Sequence, residues 1–113
     1  MPRGDSSALG SPPMIDRIVL YKLTDEYCTD AARAEIAAHA REVFAALPQV
    51  RDARVGLPAD AEAKRSWDLS LVLRFDDLAA IEAYLPHPDH QAFVRYMEAR
   101  TVVKKAWSFE AAG

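Results

Sequence analysis

Hydrophobic and polar residues alternate along IDRIVLYKL (15–23). Ile15, Arg17, Val19, Tyr21 and Leu23 fall on one face and Asp16, Ile18, Leu20 and Lys22 on the other, the period of a β-strand. After the turn TDE the period lengthens. Ile36, His39, Ala40, Val43, Phe44 and Leu47 recur at helical spacing, which predicts a helix capped by Thr29 or Asp30 and stopped at Pro48. RDARVGLP (51–58) reads as a short second strand and ADAEAKRSW as a mobile polar loop. SWDLSLVLRF (66–75) gives the clearest alternation: Trp67, Leu69, Leu71, Leu73 and Phe75 oppose Asp68, Ser70, Val72 and Arg74. A short helix, DLAAIEAYL, follows a cap at Asp76 or Asp77 and ends before Pro86. Another helix starts at HPDH, where Pro88 suits the first turn, and runs to about Thr101. The β-branched and aromatic segment VVKKAWSFE predicts a last strand.

The order β-α-β-β-α(α)-β predicts an α+β, ferredoxin-like domain with a four-stranded antiparallel sheet and helices on one face. The other face would carry Ile18, Leu20 and Val72 beside Asp16, Lys22, Asp68, Ser70 and Arg74. That mixture is too apolar to stay wet and too charged for a dry core. Two such sheets packed face to face form a dimeric α+β barrel, so a homodimer is expected.

Composition narrows the partners. At 113 residues the chain has room for one domain, and 50% hydrophobic with 27% charged residues is ordinary for a soluble one. A formal charge of -3 and the lack of a basic run argue against nucleic acid and against an anionic membrane surface. One cysteine, Cys28, rules out an internal disulfide and points to the reducing cytoplasm. The small, polar, Pro- and Gly-rich segment 1–13 is expected to be a disordered leader without the apolar run of a signal peptide, with the folded domain over 14–111.

Candidate chemistry gathers in AYLPHPDHQAFVRY (83–96), which holds two of the three histidines. His90, three residues after His87, is placed at a helix start where the dipole lowers its proton affinity, as suits a base. A structural histidine tying that helix to the last strand is the competing reading. His87 precedes proline and suits a cap or turn. His87 and His90 lack a third strong ligand, so no metal is expected, and no cofactor is implied. Tyr84 either donates a hydrogen bond to a substrate carbonyl or enolate or is plain core. Arg17 shares the helix-facing side of the first strand with Tyr21, where it snorkels, pairs or binds an anionic group such as a carboxylate. His39 shares its helix stripe with Ile36 and Val43 and so reads as a pocket or core residue. Trp67, Phe93 and Trp107 would wall a small apolar pocket or serve as core. Cys28 has no neighbouring pattern that assigns it a role.

The segments DRIVLYKLTDE, LPQVRDARVG, WDLSLVLRFDDLAAIEAYLPHPDHQAF and WSF together resemble the stress-responsive A/B barrel domain, or Dabb, family over about residues 15–110. The most specific element is Y-x-x-H-P-x-H (Tyr84 to His90) after F-x-D-x-x-x-I (Phe75 to Ile81). The resemblance implies a dimeric α+β barrel. It also implies a link to plant polyketide cyclases, which close a linear polyketide by aldol chemistry without a metal. The wider superfamily includes cofactor-free monooxygenases and haem-degrading enzymes. By this resemblance Tyr84 and His90 are the acid–base pair; Arg17, Tyr21, His39, Trp67 and Phe93 are the candidate binding residues from the residue pattern itself. Three positions depart from the cyclase pattern: Arg17 and Leu69 stand where those relatives carry histidine, and Ser108 stands where an acid would orient the histidine. Three functions therefore stay open: acid–base catalysis on a small carbonyl or polyketide-like compound, a non-catalytic ligand-binding or structural homodimer in a stress response, and oxygen-dependent chemistry on an aromatic substrate.

Overall fold

The computed structural model describes residues 13–112, so the leader expected over 1–13 lies, apart from Pro13, outside the described residues. The elements run β1 (Ile15–Leu23), α1 (Asp30–Ala46), β2 (Asp52–Gly56), α2 (Ala61–Ser66), β3 (Leu69–Phe75), α3 (Leu78–Tyr84), α4 (Pro88–Glu98) and β4 (Thr101–Glu110). A single 3-10 turn, Asp25–Tyr27, links β1 to α1. The strands form one sheet in the order β2-β3-β1-β4 with every neighbouring pair antiparallel. This is the ferredoxin-like α+β fold predicted above.

Local chemistry sets the helix starts. Thr29 Oγ1 accepts from Ala32 N at 3.1 Å, Asp60 Oδ1 from Ala63 N at 2.8 Å, and Asp77 Oδ1 from Ala80 N at 2.9 Å. Each such cap satisfies a backbone N–H that the helix itself leaves orphaned. Ile15, Val19, Tyr21 and Leu23 of β1 and Leu69, Leu71, Leu73 and Phe75 of β3 point to the helices. There they form one core with Ile36, Ala37, Ala40, Phe44 and Leu47 of the α1 side and with Ile81, Tyr84, Phe93 and Met97. The opposite face, including Ile18, Leu20 and Val72, is only partly covered, and β4 leaves Trp107 46% and Phe109 54% exposed.

Two expectations are corrected. The segment read as a polar loop contains α2. Its AEAKRS sequence has good helix formers, an Asp60 cap and a basic last turn, but no apolar stripe for periodicity to detect. The alternation of the third strand also breaks at its start. Regular pairing begins at Leu69, and Asp68, expected on the outer face, is wholly buried on the helix side of the sheet's end.

The Asp68 carboxylate gathers several partners. Leu23 N donates to Oδ2 and Arg33 Nε to Oδ1, both at 2.8 Å, and the Cys28 thiol lies 3.4 Å from Oδ1. Lys22 Nζ stands 3.4 Å from Oδ2. Burial alone would raise the Asp68 pKa, but the Leu23 amide, Arg33, Cys28 and Lys22 together outweigh it and hold the group below its ordinary 3.8. A depressed folded-state pKa means that Asp68 stabilises the fold above the unfolded value of 3.8, and that this stability is lost as pH falls through the lower folded value. Asp68→Ala leaves the buried Arg33 with only the exposed Asp30 as a carboxylate partner. Urea denaturation at neutral pH is expected to show a loss of about 3–5 kcal/mol. Breaking the exposed Arg51–Asp76 pair, 2.7 Å long, is expected to leave the midpoint in place.

Candidate functional site

The HPDH turn is held by interlocking hydrogen bonds. His87 N donates to Tyr84 O at 3.0 Å, which closes α3 onto the turn. His87 then caps α4: its Nδ1 accepts from Asp89 N at 3.1 Å, and Pro88 occupies the first turn without wasting a donor. His90, one turn into the helix, reaches back so that its Nδ1 and Leu85 O are 2.8 Å apart. A carbonyl can only accept, so Nδ1 carries the proton and the neutral ring keeps its lone pair on Nε2.

Tyr84 and His90 are packed together. Their ring centroids are 4.1 Å apart, and Tyr84 also leans on Phe75 at 4.9 Å. Both are buried, His90 to 7% exposure and Tyr84 to 2%. Burial is the main cause that lowers the His90 pKa below 6.5. The Leu85 carbonyl pulls the other way, and the positive Lys104, Arg17 and His87 add to the lowering. The ring is therefore neutral at pH 7. Burial pushes the phenols of Tyr84 and Tyr21 well above the ordinary tyrosine value, with neighbouring Arg17 opposing, so both remain hydrogen-bond donors.

The sheet supplies a cationic wall. Arg17 on β1 and Ser108 on β4 are paired across the strands, and Arg17 Nη1 donates to Ser108 Oγ at 3.0 Å. Tyr21 is paired with Lys104 four residues further along β1. A cavity of about 280 Å³ opens where α4 leaves β4, lined among others by Tyr21, Val94, Met97 and Lys104. On α4, His90, Val94 and Met97 follow one another at helical spacing, so the cavity begins about 6 Å along the helix from His90. Tyr21 and Lys104 line this cavity, whereas His90 and Tyr84 are not among its lining residues and lie packed against each other in the core.

Other candidate residues fall elsewhere. His39 stacks on Tyr96, centroid distance 4.3 Å, in a separate groove of about 310 Å³ between α1 and α4. Phe93 also borders that groove and packs its ring edge-on to Phe44 at 5.1 Å in the core. Trp67 stands with Leu20, Leu57 and Ala63 at the outer side of the sheet. The reason is that residues 67 and 68 precede the regular pleat of β3. Trp107 lies on the outer face as well, so the expected wall of Trp67, Phe93 and Trp107 does not exist. Lys104 was missed because a lone lysine in a strand of mixed character carries no pattern. Only the register that sets it beside Tyr21 reveals it. Among the described residues no three His, Cys, Asp or Glu side chains are placed to share a metal ion.

The model of the stress responsive A/B barrel domain matches residues 15–110. The chain belongs to that family. Similar solved structures include a Dabb family protein with a ferredoxin-like fold from Mesorhizobium loti, 20% identical with a TM-score of 0.75, covering 90% of this chain and 100% of that one. A dimeric protein of unknown function and ferredoxin-like fold from Bacteroides fragilis is 25% identical with a TM-score of 0.71, covering 87% and 96%. A hydroxynitrile lyase from Passiflora edulis is 10% identical with a TM-score of 0.75, covering 89% and 95%, a likeness of fold alone. No curated protein matches the sequence.

A histidine with a depressed pKa is neutral in the fold and protonated more readily when unfolded. His90 therefore contributes stability that is complete above pH 6.5 and is lost as pH falls from there through the lower folded value. In this Dabb protein, His90→Gln is expected to flatten the fall in Tm between about pH 6.5 and 5 relative to wild type, measured by scanning calorimetry. An unchanged slope would show that His90 is not held neutral.

Proposed function

We propose that this Dabb protein is a homodimer in which each subunit performs cofactor-independent acid–base chemistry on a small carbonyl or polyketide-like compound. The observation that carries the reading is the locked, neutral imidazole of His90 against a phenol that cannot ionise at physiological pH. His90 Nε2 removes a proton from the carbon next to the carbonyl, and the Tyr84 hydroxyl donates to the oxygen on which negative charge develops. Arg17, with no ion-pair partner among the described residues, faces the same end and favours the anionic enolate. Ser108 stands where the cyclase pattern has an acid, and here Leu85 O takes over the orienting of the imidazole. A backbone carbonyl fixes the tautomer and raises basicity less than a carboxylate does, which suits substrates with already acidic α-protons.

A second reading keeps the dimer and the cleft but no turnover. It is favoured by the near-complete burial of His90 and Tyr84, whereas the open cavity is lined by Tyr21 and Lys104. Exchange of α-protons in D2O, followed by NMR on acetylacetone and longer diketones, separates the two. The catalytic reading expects wild type to speed exchange and folded His90→Gln to lose about a hundredfold or more of that enhancement. Equal rates for the two proteins reject it.

The dimer is supported by the exposed outer face of β4 and β1, where Trp107, Phe109, Ile18 and Leu20 adjoin, and by the dimeric Bacteroides fragilis neighbour. Trp107→Asp places a charge in the middle of that face. Light scattering at micromolar concentration is expected to give twice the chain mass for wild type and the chain mass for the variant. A wild-type monomer would contradict the assignment.

A further inference from the structure

The cavity between α4 and β4 has a composition that the acid–base pair does not use. Its walls are apolar where Tyr21, Val94 and Met97 face it, and its polar side chains are Lys104, Thr101 and Glu98. Lys104 is solvent-accessible at the mouth and makes no ion pair among the described residues. Thr101 Oγ1 is buried without a hydrogen-bond partner, an uncommon state for a hydroxyl that a turn about χ1 relieves once a ligand oxygen enters. Arg17 stands on the same helix-facing side of the sheet, four residues along β1 from the Tyr21–Lys104 pair. Partial burial of the ammonium and then the repulsion of Arg17 lower the Lys104 pKa, with Glu98 opposing. An anion bound between the two cations would relieve that repulsion.

We propose that Lys104, supported by the Thr101 hydroxyl, holds the carboxylate of the ligand, so that the compound taken into the cleft is a small oxo acid rather than a neutral ketone. This rests on the reading of His90 and Tyr84 as the reacting end of the same cleft. The apolar stretch of Tyr21, Val94 and Met97 receives the carbon chain, and the oxo group lies towards His90, one helical turn from Val94. Glu98 at the rim and the negative end of the α4 dipole repel anions, and they penalise a phosphate dianion more than a singly charged carboxylate.

The test uses full-length protein and three probes: acetoacetate, levulinate and inorganic phosphate, with the methyl ester of each acid as its neutral match. Binding is read by NMR titration of backbone amides and of 13C-dimethylated lysines. The acids are expected to bind about tenfold tighter than their esters, to shift the Thr101 and Lys104 signals, and to raise the Lys104 pKa. Lys104→Met abolishes the preference, Lys104→Arg retains it, and Thr101→Val weakens acid binding in a protein that stays folded. Equal affinity of acid and ester overturns the proposal. So do a preference that survives Lys104→Met, phosphate that displaces the acids, or no shift at Lys104 up to about 10 mM probe. Acid binding at Lys104 with no α-proton exchange in wild type would sink only the catalytic reading. Exchange of ketones and oxo acids with equal efficiency would sink only this subsite.

Discussion

The buried carboxylate of Asp68 ties the first half of the molecule together. It sits at the start of β3, receives the last amide of β1 at Leu23, and takes the Arg33 guanidinium from the first turns of α1. Those bonds tie the start of α1 to the end of β1 and the start of β3. A charge so placed is tolerated only because each of its oxygens is occupied. Arg33 reaches on to Asp30, and Lys64 of α2 meets the same Asp30 carboxylate at 3.3 Å, so even the short α2 is tied to this point.

α1 lies against the β2 side of the sheet, α3 against β3 and α4 against β4. The interlocked HPDH turn starts α4 firmly at Pro88, and the helix ends at Glu98, three residues before β4 begins at Thr101. The open cavity lies there, lined by Tyr21 and Lys104, while His90 and Tyr84 stay packed in the core. The electrostatics follow from the same arrangement. Arg17 and Lys104 project from the strands, and burial keeps the imidazole neutral and the phenols protonated. These are the states in which a base and a hydrogen-bond donor work side by side.

Much of this was legible in the sequence, for physical reasons. The alternation of IDRIVLYKL and DLSLVLRF exists because one face of each strand is sealed, and the periodic stripe of α1 reflects the same core. The spacing Tyr84-x-x-His87-Pro88-x-His90 could be read as a helix start because the cap and the proline are local features. What escaped depends on distant geometry. α2 has no apolar stripe, and only its end contacts hold it in place. Asp68 looked like an outward residue because parity counts assume a regular pleat, which begins one residue later. His39 and Phe93 fit the apolar pattern of their helices, yet the α1–α4 packing turns them to a different groove. Lys104 gains its meaning from cross-strand register with Tyr21, which no single segment encodes.

The central claim is that His90 is a neutral base whose proton sits on Nδ1 against Leu85 O, with Nε2 left to act. The direct measurement is the 15N spectrum of the histidine ring at pH 7. The account predicts a neutral His90 with a protonated Nδ1 and a deprotonated, pyridine-like Nε2. A ring protonated on Nε2, or doubly protonated at that pH, would contradict it.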